Sequence, residues 1–229
     1  IFYILLSLWT ILMGIIHIPL LFISSKFLYQ PVKIWIKGIF FLLEKIAKIK
    51  HEIRGLDNIP SSGVLIASKH QSAFETFALF YYLSKPIFIH KKQLFWIPIF
   101  GQYLKKINMI SIDRNEGISA IRKILKIATN KISEGHSVII FPEGTRTRPG
   151  QKPIYKSGFL GIYAESNCSI IPVAVNSGHF WPKHSFIKQP GKIVIKILNP
   201  IPPKLEKTDV LKKIEVVIED ETNKLLKLK

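Results

Sequence analysis

Residues 64–83, VLIASKHQSAFETFALFYYL, decide the fold of this 229-residue chain. The apolar run Val64–Ser68 shows no alternation of polar and apolar residues, which predicts a short strand buried on both faces. The apolar run Phe74–Leu83 that follows predicts a helix. A buried strand that leads through a short polar link into a helix is the repeating unit of α/β proteins.

The same alternation continues along the chain. Five more short apolar runs predict strands over Ile87–His90, Met109–Ile112, Val138–Phe141, Ile170–Val175 and Ile193–Leu198. Further helices are predicted over Phe95–Lys106, Ile118–Ser133, Gly158–Ser166 and Asp209–Leu226. Together these elements predict an α/β domain over residues 51–229, with a mainly parallel sheet flanked by helices.

The first 50 residues differ from the rest and are expected to form membrane-embedded or interfacial helices. Residues 1–25 carry no charged side chain, and a helix of ~20 residues crosses the ~30 Å hydrocarbon core of a bilayer. A second helix is predicted over residues 31–48, with its charged residues on one narrow stripe, as in helices that lie among lipid headgroups. The alternative is burial of these helices in the protein core, which His17 and Pro19 leave open.

The charge of the chain favours an anionic lipid partner. It has 33 basic and 15 acidic side chains, a net charge of +18, and 48% of its residues are hydrophobic. Such a field attracts phosphorylated metabolites, anionic lipids or nucleic acid. Nucleic acid is not predicted, because the sequence has no zinc-finger, RRM or basic-zipper signature. Lysines that cluster after residue 25 predict that the rest of the chain faces the cytoplasm.

The polar link after the first predicted strand contains a candidate general base. His70 is expected at the carboxyl end of that strand, where ligands commonly bind in α/β sheets. Glu75 falls in the first turn of the following helix, within reach of the imidazole. A carboxylate on one ring nitrogen fixes the tautomer and leaves the other nitrogen to take a proton. On this motif alone, a surface histidine with a helix-starting acid is the simpler interpretation.

A second polar segment, FPEGTR at residues 141–146, predicts an anion-binding loop. Gly144 permits a tight turn, and Thr145 and Arg146 supply donors that fit phosphate oxygens. Glu143 is expected either to brace an arginine or to accept a hydrogen bond from a substrate hydroxyl. The glycine spacing excludes a P-loop.

In this order, the motifs resemble those of the glycerolipid acyltransferase family, and within it the 1-acylglycerol-3-phosphate acyltransferases. The family pattern is H-x4-D, a short motif ending in Arg, F-P-E-G-T-R and a hydrophobic segment with Pro. The chain has His70 and Glu75, Ile112-Asp113-Arg114, the FPEGTR segment and Ile171-Pro172-Val173, roughly over residues 50–200. Glu75 stands where the family usually has Asp, and its extra methylene moves the carboxylate.

The resemblance implies both a reaction and roles for the motif residues. A fatty acyl group would pass from acyl-CoA or acyl-carrier protein to the sn-2 hydroxyl of lysophosphatidic acid, giving phosphatidic acid in phospholipid biosynthesis. The implied setting is the cytoplasmic face of a membrane, expected to be the bacterial inner membrane. No metal and no cofactor beyond the acyl donor is implied. By resemblance His70 is the base and Glu75 orients it, while the acceptor's glycerol phosphate is held by Arg114, Glu143, Gly144, Thr145 and Arg146.

Three rival functions stay open on the sequence. A sister acyltransferase that uses glycerol 3-phosphate or another lysophospholipid would have the same motifs. A non-catalytic basic protein that docks on anionic membranes would account for the charge and hydrophobicity. A hydrolase that cleaves the thioester with water would release thiol in the absence of an acceptor.

Overall fold

Seven strands form one sheet in the computed structural model, which describes residues 1–113 and 117–227. Their order in the sheet is β1-β7-β6-β2-β5-β3-β4, and every neighbouring pair is parallel except β6 and β7. The predicted mainly parallel sheet is therefore confirmed. The strands are β1 (Ile49–Arg54), β2 (Val64–Ser68), β3 (Pro86–Lys91), β4 (Ile110–Ile112), β5 (Ser137–Ile140), β6 (Ile170–Val175) and β7 (Gly191–Ile197).

Helices cover both faces of this sheet. Successive side chains of β2 point to opposite faces, so Ile66 belongs to one buried cluster and Leu65 to the other. Helices α1 (Phe2–Ile16), α2 (Tyr29–Lys45), α3 (Phe74–Tyr82), α4 (Phe100–Lys106) and the short α7 (Ser177–Phe180) contribute to the first cluster. Helices α5 (Gly117–Ser133), α6 (Phe159–Ser166) and α8 (Lys207–Leu226) form the second.

The strand β1 was not predicted. Its sequence, IKHEIR, mixes charged and apolar residues, and only Ile49 is fully buried, as fits the outermost strand of a sheet. Sequence patterns identify buried strands by continuous apolar runs, and an outer strand with polar residues lacks that signal.

The uncharged run 1–25 does not form one helix. Helix α1 ends at Ile16, and a 3-10 turn over Ile18–Phe22, with Pro19 near its start, changes the direction of the chain. Among the described residues no helix is both long enough and apolar enough to cross a membrane. Helix α2 buries Ile36 and Ile39 against the sheet side of the molecule. The predicted boundary after residue 50 stays a prediction.

The helix predicted over Phe95–Lys106 is wrong in its first half. A 3-10 turn spans Lys92–Trp96, and α4 begins only at Phe100. The cause is Pro98, because the residue before a proline disfavours the helical conformation and Ile97 is extended.

Candidate active site

The parallel order of β6, β2 and β5 brings three loops together at one edge of the sheet, because all three strands end there. His70 follows β2 after one residue. Its Nδ1 lies 2.8 Å from Glu75 Oε1, while its Nε2 has no hydrogen-bond partner within the described part of the chain. The imidazole side chain is 16% exposed. With a carboxylate on Nδ1, the proton sits on that nitrogen and Nε2 is left as the basic atom.

Glu75 is completely buried and accepts hydrogen bonds at both oxygens. The backbone N–H groups of Gln71 and Ser72 each donate to Oε1 at 2.7 Å, and the Ser177 hydroxyl donates to Oε2 at 2.7 Å. Burial alone would raise the pKa of Glu75, but the hydrogen bond and charge of His70, together with Ser177, outweigh it and lower the pKa. The carboxylate is therefore ionised and able to stabilise an imidazolium.

The local sequence explains why this loop holds its shape. The Ser72 hydroxyl accepts the backbone N–H of Phe74 at 2.8 Å, and the Glu75 side chain reaches back to the Ser72 N–H. This reciprocal pair satisfies donors that the first turn of α3 would otherwise leave unpaired, as in a capping box. The same carboxylate thus starts the helix and orients the base.

The FPEGTR segment lies directly against this base. The Phe141 ring stacks on the His70 imidazole, with centroids 3.9 Å apart. The backbone N–H of Thr147 donates to the His70 carbonyl at 2.8 Å. Gly144 makes the turn between them, with a φ of 69° that favours glycine. Two motifs that lie about seventy residues apart in the sequence therefore form a single site.

Glu143 points into the protein. Its Oε1 accepts the backbone N–H of His70 at 3.1 Å and lies 3.3 Å from Lys69 Nζ, while its Oε2 accepts the Thr147 hydroxyl at 2.7 Å. Burial raises the pKa of Glu143, and the Lys69 charge and the hydrogen bond from Thr147 oppose that rise. Both oxygens brace the two loops, and contact between Glu143 and an acceptor stays a prediction.

The chain next to His70 carries a buried cation that the sequence did not single out. Lys69 is 1% exposed, and its Nζ lies 2.7 Å from Glu219 Oε1 on α8. The Tyr155 hydroxyl donates to the same Glu219 oxygen at 2.8 Å. Burial, followed by the charge of Glu219, raises the pKa of Tyr155, so this hydroxyl stays a donor. A buried charge is tolerated only when it is paired, and Lys69 is paired with both Glu143 and Glu219.

Ser177 and Gln71 are further site residues that the sequence did not identify. The backbone N–H of Gly178 donates to Gln71 Oε1 at 3.1 Å, so the loop after β6 is fastened to the loop after β2. A Cβ at Gly178 would lie 2.8 Å from the Gln71 Cβ, so a larger residue there would force the two loops to shift. The sequence signal that could have identified Ser177 is its place just after a predicted strand, which it shares with His70.

The remaining predicted anion ligands are exposed. Thr145 and Arg146 lie on the outside of the loop, and the Lys183 ammonium donates to the Thr145 hydroxyl at 3.3 Å. Arg146 has no ion pair within residues 1–113 and 117–227. Arg114 falls outside the described residues. Its neighbour Asp113, at the end of β4, accepts from Lys92 at 3.1 Å.

An apolar cavity of about 280 Å³ lies beside the site, between α1, α2, α3 and α4. Its walls include Met13, Trp35, Phe77 and Phe88. The Phe88 ring is 6.2 Å from the Phe141 ring that stacks on His70. The cavity is therefore separated from the candidate base by a short series of aromatic rings.

The chain is similar to known proteins over most of its length. Residues 50–176 match the family model described as Acyltransferase. A 1-acyl-sn-glycerol-3-phosphate acyltransferase of Pseudomonas aeruginosa is 33% identical over 86% of this chain and 77% of its own length. One of the same description from Cocos nucifera is 34% identical over 58% of this chain, but the match covers 44% of the plant protein.

The fold has a solved counterpart. The crystal structure of the 1-acyl-sn-glycerophosphate (LPA) acyltransferase of Thermotoga maritima superimposes with a TM-score of 0.79, over 99% of this chain and 97% of that one, at 22% identity. The family model spans residues 50–176, which include His70, Glu75 and the FPEGTR segment, and the bacterial relative is similar over most of both chains. The chain belongs to the acyltransferase family and is an enzyme of that type.

Proposed function

We propose that this enzyme transfers a fatty acyl group from an acyl thioester to the sn-2 hydroxyl of 1-acylglycerol 3-phosphate. The observation that carries the proposal is the contact of His70 with Glu75, which leaves the basic Nε2 beside the FPEGTR loop. Relatives described as 1-acyl-sn-glycerol-3-phosphate acyltransferases support this acceptor. The product would be phosphatidic acid, a precursor in phospholipid biosynthesis.

The reaction is proposed to run in one complex of both substrates. His70 Nε2 takes the proton of the acceptor hydroxyl as its oxygen attacks the thioester carbonyl, and the thiol leaves with that proton. Glu75 stabilises the imidazolium between these steps, and a base of this kind contributes ~10²–10⁴-fold to a rate. The thioester is already activated, so the proposal includes no metal and no cofactor besides the donor.

The acceptor phosphate is proposed to bind at the outer side of the 141–147 loop. Arg146 offers a planar pair of donors that suits phosphate oxygens, with Thr145 and the backbone at Gly144 beside it. Arg114 is proposed as a further ligand on the basis of its motif. Glu143 would act on this phosphate through the loop that it braces, since both its oxygens already contact protein groups.

An acyl chain is proposed to occupy the apolar cavity beside the site, because its walls are almost entirely hydrophobic. The proposed donor carries its acyl group on either CoA or acyl-carrier protein. Both carriers are anionic and are attracted by the net charge of +18.

The N-terminal helices are proposed to hold the enzyme on the cytoplasmic face of a membrane. Helix α1 exposes a row of apolar side chains, among them Ile4 (66%), Leu8 (59%) and Ile15 (54%). A helix with one exposed apolar side and lysines nearby binds at a lipid surface. Such a location would give the site direct access to a lipid acceptor.

Thiol release from acyl-CoA and from acyl-carrier protein, measured with three acceptor conditions, tests the proposed reaction. We expect rapid release with 1-acylglycerol 3-phosphate, little with glycerol 3-phosphate, and almost none without acceptor. Mass spectrometry should find phosphatidic acid. Equal release without acceptor would instead establish a hydrolase, and preference for glycerol 3-phosphate would establish a sister acyltransferase.

A further inference from the structure

We propose that the loop of residues 182–190, which leads into β7, is a second lipid-contacting element that inserts Phe186 and Ile187 into an anionic membrane surface. Phe186 is 88% exposed and Ile187 is 69% exposed. Large apolar side chains at the tip of a loop, adjacent in sequence and both open to solvent, are unfavourable in water and favourable in a lipid interface.

The loop has a defined shape that presents these two residues. The Ser185 hydroxyl accepts the backbone N–H of Ile187 at 3.2 Å and donates to the Ile187 carbonyl at 3.1 Å. The base of the loop is closed by the backbone N–H of Gln189, which donates to the Phe180 carbonyl at 3.0 Å. Internal bonds therefore fix the turn, and the exposure of Phe186 and Ile187 is a property of the fold.

The loop is continuous with the exposed apolar row of α1. The Tyr3 ring meets the Phe186 ring edge-on, with centroids 5.6 Å apart, and its hydroxyl donates to the Ser185 carbonyl at 3.1 Å. Ile4, next to Tyr3, begins the row that continues through Leu8. Phe186 and Ile187 thus extend one apolar surface beyond the helix.

Charge identifies the occupant of this surface as anionic lipid. Lys183 and Lys188 flank the apolar pair in the sequence. Each ammonium also contacts a protein hydroxyl, and its positive charge beside inserted apolar side chains favours anionic headgroups. A second copy of the chain is disfavoured, because each copy carries a net charge of +18.

The loop also touches the candidate active site. Lys183 donates to Thr145 of the FPEGTR segment at 3.3 Å, and Lys188 donates to the Tyr3 hydroxyl at 2.7 Å. Insertion of Phe186 and Ile187 would therefore set Thr145 near the depth of the headgroup phosphates. This consequence for catalysis rests on the function proposed above, whereas the lipid contact itself does not.

Vesicle binding by the full chain tests the proposal. The double variant F186S/I187S should bind vesicles of an equal mixture of phosphatidylcholine and phosphatidylglycerol about tenfold more weakly than the unmodified chain. The matched control is Val216→Ser, which removes a side chain that is 48% exposed on α8, across the sheet from α1. We expect the control to bind like the unmodified chain, and vesicles of phosphatidylcholine alone to bind less of every protein.

Three results would overturn the lipid contact. The first is normal vesicle binding by the double variant, and the second is an equal loss in the Val216→Ser control. The third is a lipid-free dimer, seen by light scattering, that the double variant abolishes, because a second copy would then cover this surface.

An activity measurement separates this inference from the proposed reaction. The double variant should lose activity on acceptor presented in vesicles but keep it on a short-chain 1-acylglycerol 3-phosphate that is monomeric in solution. If the unmodified chain acylates neither acceptor, the proposed function fails while the vesicle-binding result still stands.

Discussion

The two loops of the candidate site differ in how much of their polar surface the protein itself uses. In the loop after β2, the Glu75 carboxylate accepts four hydrogen bonds and is completely buried. In the loop after β5, Glu143 and Thr147 are tied to the interior, whereas Arg146 stays exposed without an ion pair among the described residues.

This difference matches two chemical tasks. A base must be held in one orientation before the substrate arrives, because proton transfer depends on geometry. A phosphate ligand must instead keep its donors free until an anion binds. The buried loop is therefore expected to govern the rate of the chemical step, and the exposed end of the other loop the affinity for the acceptor.

The variant His70→Ala should have the largest effect. Loss of the base is expected to lower kcat by ~10²–10⁴-fold with little change in the acceptor KM. Steady-state kinetics measure both values, and His136→Ala, at the opposite edge of the sheet, is the control with normal activity expected. Full activity in His70→Ala would remove the general-base role.

The variant Lys69→Met should reduce stability strongly. It leaves Glu143 and Glu219 without their shared cation, and breaking a buried ion pair costs about 3–5 kcal/mol of the free energy of unfolding. Urea denaturation measures this loss. The matched control is Lys196→Met. Lys196 pairs with Glu221, which lies on α8 as Glu219 does, but the Lys196 side chain is 37% exposed. This control should therefore lower the free energy of unfolding by less than ~1 kcal/mol.

The variant Arg146→Ala should act on the acceptor. Removal of its guanidinium is expected to raise the acceptor KM by about 10- to 100-fold and to leave the donor KM unchanged. Arg122→Ala, on the exposed side of α5, is the control for loss of positive charge alone. If both variants shift the acceptor KM equally, Arg146 contributes only to the general field.

The variant Ser177→Ala should have the smallest effect. Glu75 keeps three of its four hydrogen bonds, so we expect kcat to fall several-fold with unchanged KM values. Ser166→Ala, which removes a hydroxyl bonded within α6, should leave kcat unchanged. A fall as large as that of His70→Ala would show that Ser177 has a more direct role.

Much of the fold could be predicted because its central strands are continuous apolar runs. Val64–Ser68 and Ile170–Val175 are buried along their whole length, and both were placed correctly. The outer strand Ile49–Arg54 was missed because it is only partly buried, so its sequence mixes charged and apolar residues and contains no continuous apolar run. The break after Ile16 was missed because the lack of charge over residues 1–25 favoured one continuous helix, although Pro19 marks the position of the turn.

The site was predictable to the level of its motifs but not of its contacts. His70 and the FPEGTR segment each follow a predicted strand, and from this the sequence correctly indicated that both lie at one edge of the sheet. The inward orientation of Glu143 depends on Lys69, and Lys69 depends on Glu219, which lies 150 positions further along the chain. Pairings over such separations leave no local pattern in a single sequence.

The place of Glu219 has a consequence for the timing of synthesis. Helix α8 leaves the ribosome after every other described helix, and until it docks, Lys69 lacks one of its two carboxylate partners. A nascent chain that already contains His70, Glu75 and the FPEGTR segment would therefore still lack a fully formed catalytic loop. Catalysis should therefore begin only after α8 has been synthesised and has docked on the sheet, so that a nascent chain without α8 would be inactive.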